Sequence, residues 1–423
     1  MPTDDVPLFR PDGIHAGAGR IEPPVDRAPR FQRRWVLPAV VAIQTCLGGV
    51  YAWSAFAAAL RADFALSVAQ TQSVFGLTIA AMTLSMAIAG RWIGRLGTRR
   101  LAMCGGLLFG LGHGVSAASG GDLTRILAGS GLLVGISMGL GYVSALTAVA
   151  QWYPRNKGLV IGVTVAGFGA GSILLSALIA HLLRGGIPVL DLFQVVGAVY
   201  ATVILLAGAL LFRAPAPAPD PVETRTATPP RLDRNALPLL VGIFSGTFAG
   251  LMVIGHLASL GMEGGLSFRM ATAAIGGFAV GNTAGRILWG WLADRYGYRT
   301  IPISLVFLAV TLVGLYAARN RAGFFLPAAA LTGFGFGANF VLYAAQVAAR
   351  HGPQGLALLY PQIFLAYGLA AMTGPPLSGF LHDRTGSLGP AIGIAVMLLL
   401  AATGITAAFA PTPHPKSPGG IHP

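Results

Sequence analysis

A chain of 423 residues that is 54% hydrophobic and 10% charged, with a mean hydropathy of +0.70, falls far below the roughly 25% charge of soluble domains. That excludes a water-soluble enzyme or binding module as the starting description. The net charge of +14 reads as Lys and Arg gathered on one side of a membrane, with no nucleic-acid partner.

Residues 1–34 hold five acids and six arginines and lack the apolar core of a cleavable signal. They are expected to form a cytoplasmic tail, leaving the first span in place as an anchor. A helical crossing needs about 20 apolar residues. Apolar runs of that kind lie at 36–60, 71–93, 101–118, 123–150, 158–183 and 189–212. Ser67 and Gln70 fit a capping box that opens the second run. A polar, Pro-rich segment at 213–234 follows, with APAPAPDP and TPP, and reads as an extended cytoplasmic linker. Six more runs follow at 237–261, 270–292, 301–318, 324–349, 356–380 and 388–410, then a cytoplasmic tail at 411–423.

The expected fold is an all-α membrane protein of twelve transmembrane helices. Two six-helix halves, 35–212 and 235–410, enclose a central cavity. With both termini inside, the inner segments hold 20 Lys and Arg and the outer loops seven, which places both termini in the cytoplasm. The two cysteines, Cys46 and Cys104, lie inside apolar runs, so neither a disulfide framework nor a metal cluster is expected. No cofactor is expected, and the chain should act as a monomer in the bilayer.

None of the 14 acids falls mid-span, and the two lysines, Lys157 and Lys416, are both cytoplasmic. Arg286 alone is deep, eight residues before Asp294, or about 12 Å along a helix. An arginine there costs roughly 2.5–3.5 kcal/mol on insertion scales and needs a partner. No carboxylate of the chain lies at that depth. The guanidinium fork fits a carboxylate through two parallel hydrogen bonds, so a small organic anion is the expected partner. The alternative is that Arg286 bonds backbone carbonyls or snorkels to the inner surface.

Residues at helical spacing could complete such a site. Gln44, Gly48 and Tyr51 share one face, as do Asn339, Tyr343 and Gln346; Asn282 lies one turn before Arg286, and Tyr360, Phe364 and Tyr367 form a stripe. The same stripes also serve as ordinary interhelical packing. No Walker loop, metal-ligand set or nucleophile–base pair is present, so no enzymatic activity is indicated.

The run Gly90-Arg91-Trp92-Ile93-Gly94-Arg95-Leu96-Gly97-Thr98-Arg99-Arg100 has a counterpart in Gly290-Trp291-Leu292-Ala293-Asp294-Arg295-Tyr296-Gly297-Tyr298-Arg299. This repeat resembles the loop motif of the major facilitator superfamily. The resemblance implies rocking of two halves around a central site, with Asp294, Arg295, Arg299 and, in the weaker first copy, Arg95 bracing the closed cytoplasmic face. Gly94 replaces the acid in that first copy. Further segments, Gly49 to Ser54, Gly139 to Tyr142, Trp152 to Pro154, Gly167 to Gly171, Asn282 to Gly290 and Ala366 to Gly368, look like the oxalate–formate antiporter family. That resemblance implies Arg286 as the carboxylate ligand, with Tyr51, Tyr142 and residues of span ten lining the cavity. The oxalate-carrying member of that family adds a lysine in helix eleven, absent here. A single buried cation neutralises one carboxylate, and a dianion would leave an unpaired charge. The substrate is therefore expected to be a monocarboxylate of the formate, lactate or pyruvate type, bound with its apolar part against Tyr51, Tyr142 and Tyr367 and carried by alternating access in the inner membrane. In the neighbouring monocarboxylate transporter family an Asp stands one turn before the Arg and is linked to proton coupling; here Asn282 stands there. Competing readings are an oxalate/formate-type antiporter, a proton-coupled symporter, a drug exporter and a non-transporting sensor.

Overall fold

The computed structural model describes residues 30–214 and 236–409, all in helices, turns or short connections. The expected linker falls almost wholly outside the described residues, as do most of the N-tail and the whole C-tail. In a bilayer each backbone polar group must be satisfied within its own segment, which helices do.

The first set begins with α1 (Arg30–Gly48), a 3₁₀ turn (Gly49–Ala52) and α2 (Trp53–Phe64), which together make one crossing. Next comes α3 (Val68–Ala117), whose 50 residues extend about 75 Å, more than twice a hydrocarbon core. It breaks at Gly97, where φ is 78°, a conformation that favours glycine. Its start is the expected capping box: Ser67 Oγ accepts from the Gln70 N–H at 3.1 Å, and Gln70 Oε1 accepts from the Ser67 N–H at 2.8 Å. The set continues with α4 (Leu123–Ile126), a π-helical stretch (Leu127–Leu133) and α5 (Val134–Trp152), then α6 (Lys157–Arg184) and α7 (Val189–Ala209).

The second set repeats the plan. It holds α8 (Leu237–Glu263), α9 (Phe268–Tyr296), a 3₁₀ turn (Gly297–Arg299) and α10 (Thr300–Ala317). Gly297, with φ 61°, breaks this stretch where Gly97 breaks α3. Then come α11 (Ala322–Gly337), a 3₁₀ turn (Ala338–Phe340) and α12 (Leu342–Leu358), which is itself broken at Gly352. α13 (Tyr360–Thr385) and α14 (Gly389–Ala408) complete the set. Among the described residues, ten continuous helical stretches are long and apolar enough to cross a membrane, two of them 48 and 49 residues long. Divided at Gly97 and Gly297, they make twelve crossings.

The two sets meet along small residues, which let backbones approach closely. A Cβ at Gly158 would run into the Gly290 carbonyl, and one at Gly162 into the carbonyl of Arg286, so α6 and α9 lie almost backbone to backbone. α3 meets the second set closely too, with Gly90 on the Ala357 carbonyl near the end of α12 and Gly368 of α13 on the Thr83 side chain.

Candidate functional site

Arg286 sits on α9 where that helix crosses α6, with no solvent exposure. It does not snorkel. Its Nε donates to Asn282 Oδ1 at 3.2 Å, one turn back on the same helix, and its Nη1 donates to the Val165 carbonyl of α6 at 2.6 Å. The main-chain alternative thus holds for one nitrogen of three. Nη2 is buried with no hydrogen-bond partner. A guanidinium has five N–H donors, and two are engaged.

An uncompensated buried cation is costly, by several kcal/mol, and the surroundings offset only part of that. The Phe340 ring lies 4.2 Å from the guanidinium carbon and the Phe168 ring 5.8 Å from it. Cation–π contacts of a desolvated arginine contribute on the order of 2 kcal/mol. Phe340 ends the 3₁₀ turn that interrupts the tenth crossing, and Tyr51 rides on the matching interruption of the first.

Aromatic side chains from both sets wall the site. The Phe168 ring is 5.5 Å from Tyr51 and 5.7 Å from Tyr142, both edge-on. Tyr142 stacks on Phe364 at 5.5 Å, and Phe364 and Phe340 in turn contact Tyr367 at 5.0 and 5.5 Å. Tyr51 and Tyr367, from opposite helix sets, share a hydroxyl–hydroxyl bond of 2.8 Å. The hydroxyls of Tyr51, Tyr142, Tyr360 and Tyr367 lie near Arg286, that of Tyr51 beside the guanidinium. Those of Tyr142 and Tyr360 are buried and lie against each other. The chemistry offered is one cation with free donors, a ring of hydroxyls and apolar walls.

Of the residues expected at the site, Arg286, Asn282, Tyr51, Tyr142 and Tyr367 gather here. Gln44 is fully buried with both amide atoms unpartnered. The other two, Asn339 and Tyr343, pack against α8 instead. Asn339 Nδ2 donates to the Phe336 carbonyl at 3.0 Å and its oxygen abuts Gly246; the Tyr343 hydroxyl abuts Gly242. The neighbour of this helical face is α8, whose glycines leave room for these side chains. Sequence reasoning missed Phe340, Phe168 as a cation partner and the Val165 carbonyl. Only the position of Phe340, next to Asn339, could have pointed to it.

Twelve residues from the site's Asn282, toward the motif loop, Asp294 closes the same α6–α9 crossing. Its Oδ1 accepts from the Gly158 N–H at 2.7 Å and its Oδ2 from the Leu159 N–H at 2.8 Å. A carboxylate here meets both the free N–H groups and the positive end of the α6 dipole. Lys157 adds a second tie, its Nζ donating to the Ala348 carbonyl at 3.1 Å. Arg95, Arg295 and Arg299 are exposed and, among the described residues, make no ion pair; Arg295 lies 5.8 Å from the Tyr296 ring. Of the four expected bracing residues, Asp294 alone has a recorded bond to the other helix set. Among the described residues no group of three or more His, Cys, Asp or Glu is arranged to hold a metal.

The family model described as Major Facilitator Superfamily matches residues 39–360 and 240–422. Monocarboxylate transporter 11 of Homo sapiens is 30% identical over 347 residues, 76% of this chain and 70% of that protein. The oxalate:formate antiporter of Oxalobacter formigenes is 24% identical over 371 residues, covering 84% and 86%. Among solved structures, the transporter FucP in its outward conformation superposes with a TM-score of 0.70 at 15% identity, over 89% of this chain and 99% of that one, a likeness of fold.

Proposed function

Since the chain belongs to the Major Facilitator Superfamily, whose relatives here are membrane transporters, we propose that it carries a small monocarboxylate, of the formate, lactate or pyruvate type, across the bacterial inner membrane by alternating access, with both termini in the cytoplasm. The observation that carries this reading is Arg286, wholly buried with Nη2 unpaired.

The carboxylate would accept from the unpaired N–H groups of Arg286, two parallel charge-assisted bonds being the favoured geometry. Asn282 and Val165 hold the guanidinium so that this edge stays presented. The apolar part of the anion lies against Tyr51, Tyr142 and Tyr367. Neutralising the cation lowers the cost of closing the two helix sets around it. A second carboxylate would find no second cation, because Lys157 and Lys416 are the chain's lysines and neither lies in α13. Monocarboxylates are therefore preferred over oxalate.

The test is counterflow in proteoliposomes with labelled formate, lactate, pyruvate and oxalate. The wild type should exchange one or more of the three monocarboxylates in preference to oxalate, and Arg286→Gln should exchange none. Near-normal monocarboxylate exchange by Arg286→Gln, or preference for oxalate, would overturn the reading.

A further inference from the structure

At the motif-loop end, the second crossing presents a face that the protein itself leaves unmatched. Leu84, Ile88, Arg91, Trp92 and Arg95 of α3 lie within about 100° of arc around the helix, and all five are exposed. The opposite side packs inward: Met86, Ala89 and Ile93 are buried, and Gly90 abuts the Ala357 carbonyl. In a membrane the outward face meets lipid. From Leu84 to Arg95 the helix rises about 16 Å, close to the roughly 15 Å of one hydrocarbon leaflet. Trp92 and the two arginines stand at the polar edge of this stripe, where amphipathic rings and long cationic side chains settle.

Arg91 and Arg95 are one turn apart, about 6 Å of rise, and among the described residues neither forms an ion pair. Arg99 and Arg100, also exposed, open the next crossing beyond the break at Gly97. Of the described acids, Asp294 alone lies at this end, and both its oxygens are taken by the start of α6. Asp63, Asp122, Asp191, Glu263 and Asp383 lie at the opposite end of the bundle. The second copy of the motif is built differently. Trp291 stands in the place of Arg91, Asp294 in the place of Gly94, and Arg295 rests 5.8 Å from the Tyr296 ring. Two guanidinium groups without an acid, set above an apolar stripe, belong to the first copy.

We infer that this face of α3 is a binding site for one anionic phospholipid, its phosphate held between Arg91 and Arg95, its glycerol beside Trp92 and an acyl chain along Ile88 and Leu84. Arginine holds phosphate oxygens through charge-assisted, often bidentate bonds, and basic side chains at a membrane surface attract anionic lipid. The stripe that runs from the arginines into the hydrocarbon favours a phosphate carried by a lipid over one free in solution. The bound head group gives the first copy of the motif the negative charge that Asp294 gives the second. The site is independent of the carrier's cargo.

Native mass spectrometry of the purified full chain, titrated with phosphatidylglycerol or with phosphatidylcholine of the same acyl chains, tests this through the affinity of the first lipid bound. One basic side chain at such a surface contributes about a fivefold preference for anionic lipid. The wild type should therefore bind phosphatidylglycerol about tenfold more tightly than phosphatidylcholine, or better. Arg91→Gln and Arg95→Gln should each weaken phosphatidylglycerol by about three- to fivefold, and the double variant by about tenfold or more. Arg184→Gln, the same loss of charge at an exposed residue of the other end, should change it by less than about twofold. Equal affinity for the two lipids in the wild type, or a preference for phosphatidylglycerol retained by the double variant, would overturn the inference. So would displacement of phosphatidylglycerol by millimolar inorganic phosphate but not by chloride of equal ionic strength, which would mark a free-anion site.

Discussion

The two crossings that join the helix sets pack alike and are charged differently. At α6–α9, Gly158 and Gly162 meet Gly290 and the Arg286 carbonyl. The same crossing carries Arg286 on Val165 and Asp294 on the start of α6. Where α3 meets the end of α12 and α13, Gly90 meets Ala357 and Gly368 meets Thr83, with Gly94 where the other copy has its acid. Nothing lies within 4 Å of the place a Gly94 Cβ would occupy. A duplicated scaffold has thus kept its close packing twice and its electrostatics once. One crossing is tied by charged groups; the other rests on close packing.

Breaking the charged crossing should have the largest effects. Arg286→Gln is expected to abolish exchange, and Arg286→Lys to reduce it more than tenfold, because an ammonium lacks the planar fork. Steric separation comes next. Gly162→Leu drives a side chain into the Arg286 main chain and should reduce counterflow at least tenfold while the protein still reaches the membrane, checked by its amount in the purified membrane fraction. Removing the Asp294 bonds is milder. Asp294→Ala deletes two charge-assisted bonds, each worth roughly 1.5–3 kcal/mol, and should increase the reactivity of a Leu159→Cys reporter, whose N–H is one of the two donors, toward a thiol reagent applied from the loop side by about tenfold or more. Tyr367→Phe removes one neutral hydroxyl bond, about 0.5–1.5 kcal/mol, and should change counterflow by about two- to tenfold. The smallest change is a gain. Gly94→Asp adds a carboxylate near the start of α13, where helix-dipole contacts contribute about 0.3–1 kcal/mol, and should raise Tm by about a degree or less. An equal and opposite response to Asp294→Ala would show the two crossings to be equivalent after all.

Much of this could be read from residues alone, for identifiable reasons. The crossings are written in hydropathy because lipid admits few polar side chains. Arg286 stands out because a mid-span charge is rare enough to need a reason. The Asp294 tie was signalled by a repeated motif, although its partner, the start of α6, was not. Helical spacing placed Asn339 and Tyr343 on one face, yet spacing says nothing about which neighbour that face meets; α8 takes them through Gly242 and Gly246. Phe168 and Phe340 went unremarked as cation partners because phenylalanine is ordinary in apolar helices and acquires a role only from what lies over its ring. Lys157 looked like topogenic charge, and its bond to Ala348 depends on a tertiary approach that no local pattern encodes.

The most direct test is equilibrium binding of labelled formate, lactate and pyruvate to purified protein, where neither coupling nor direction of flux enters. The wild type should bind at least one of them saturably, Arg286→Lys more weakly, and Arg286→Gln not measurably. Unchanged affinity in Arg286→Gln would contradict the claim that this guanidinium receives the carboxylate.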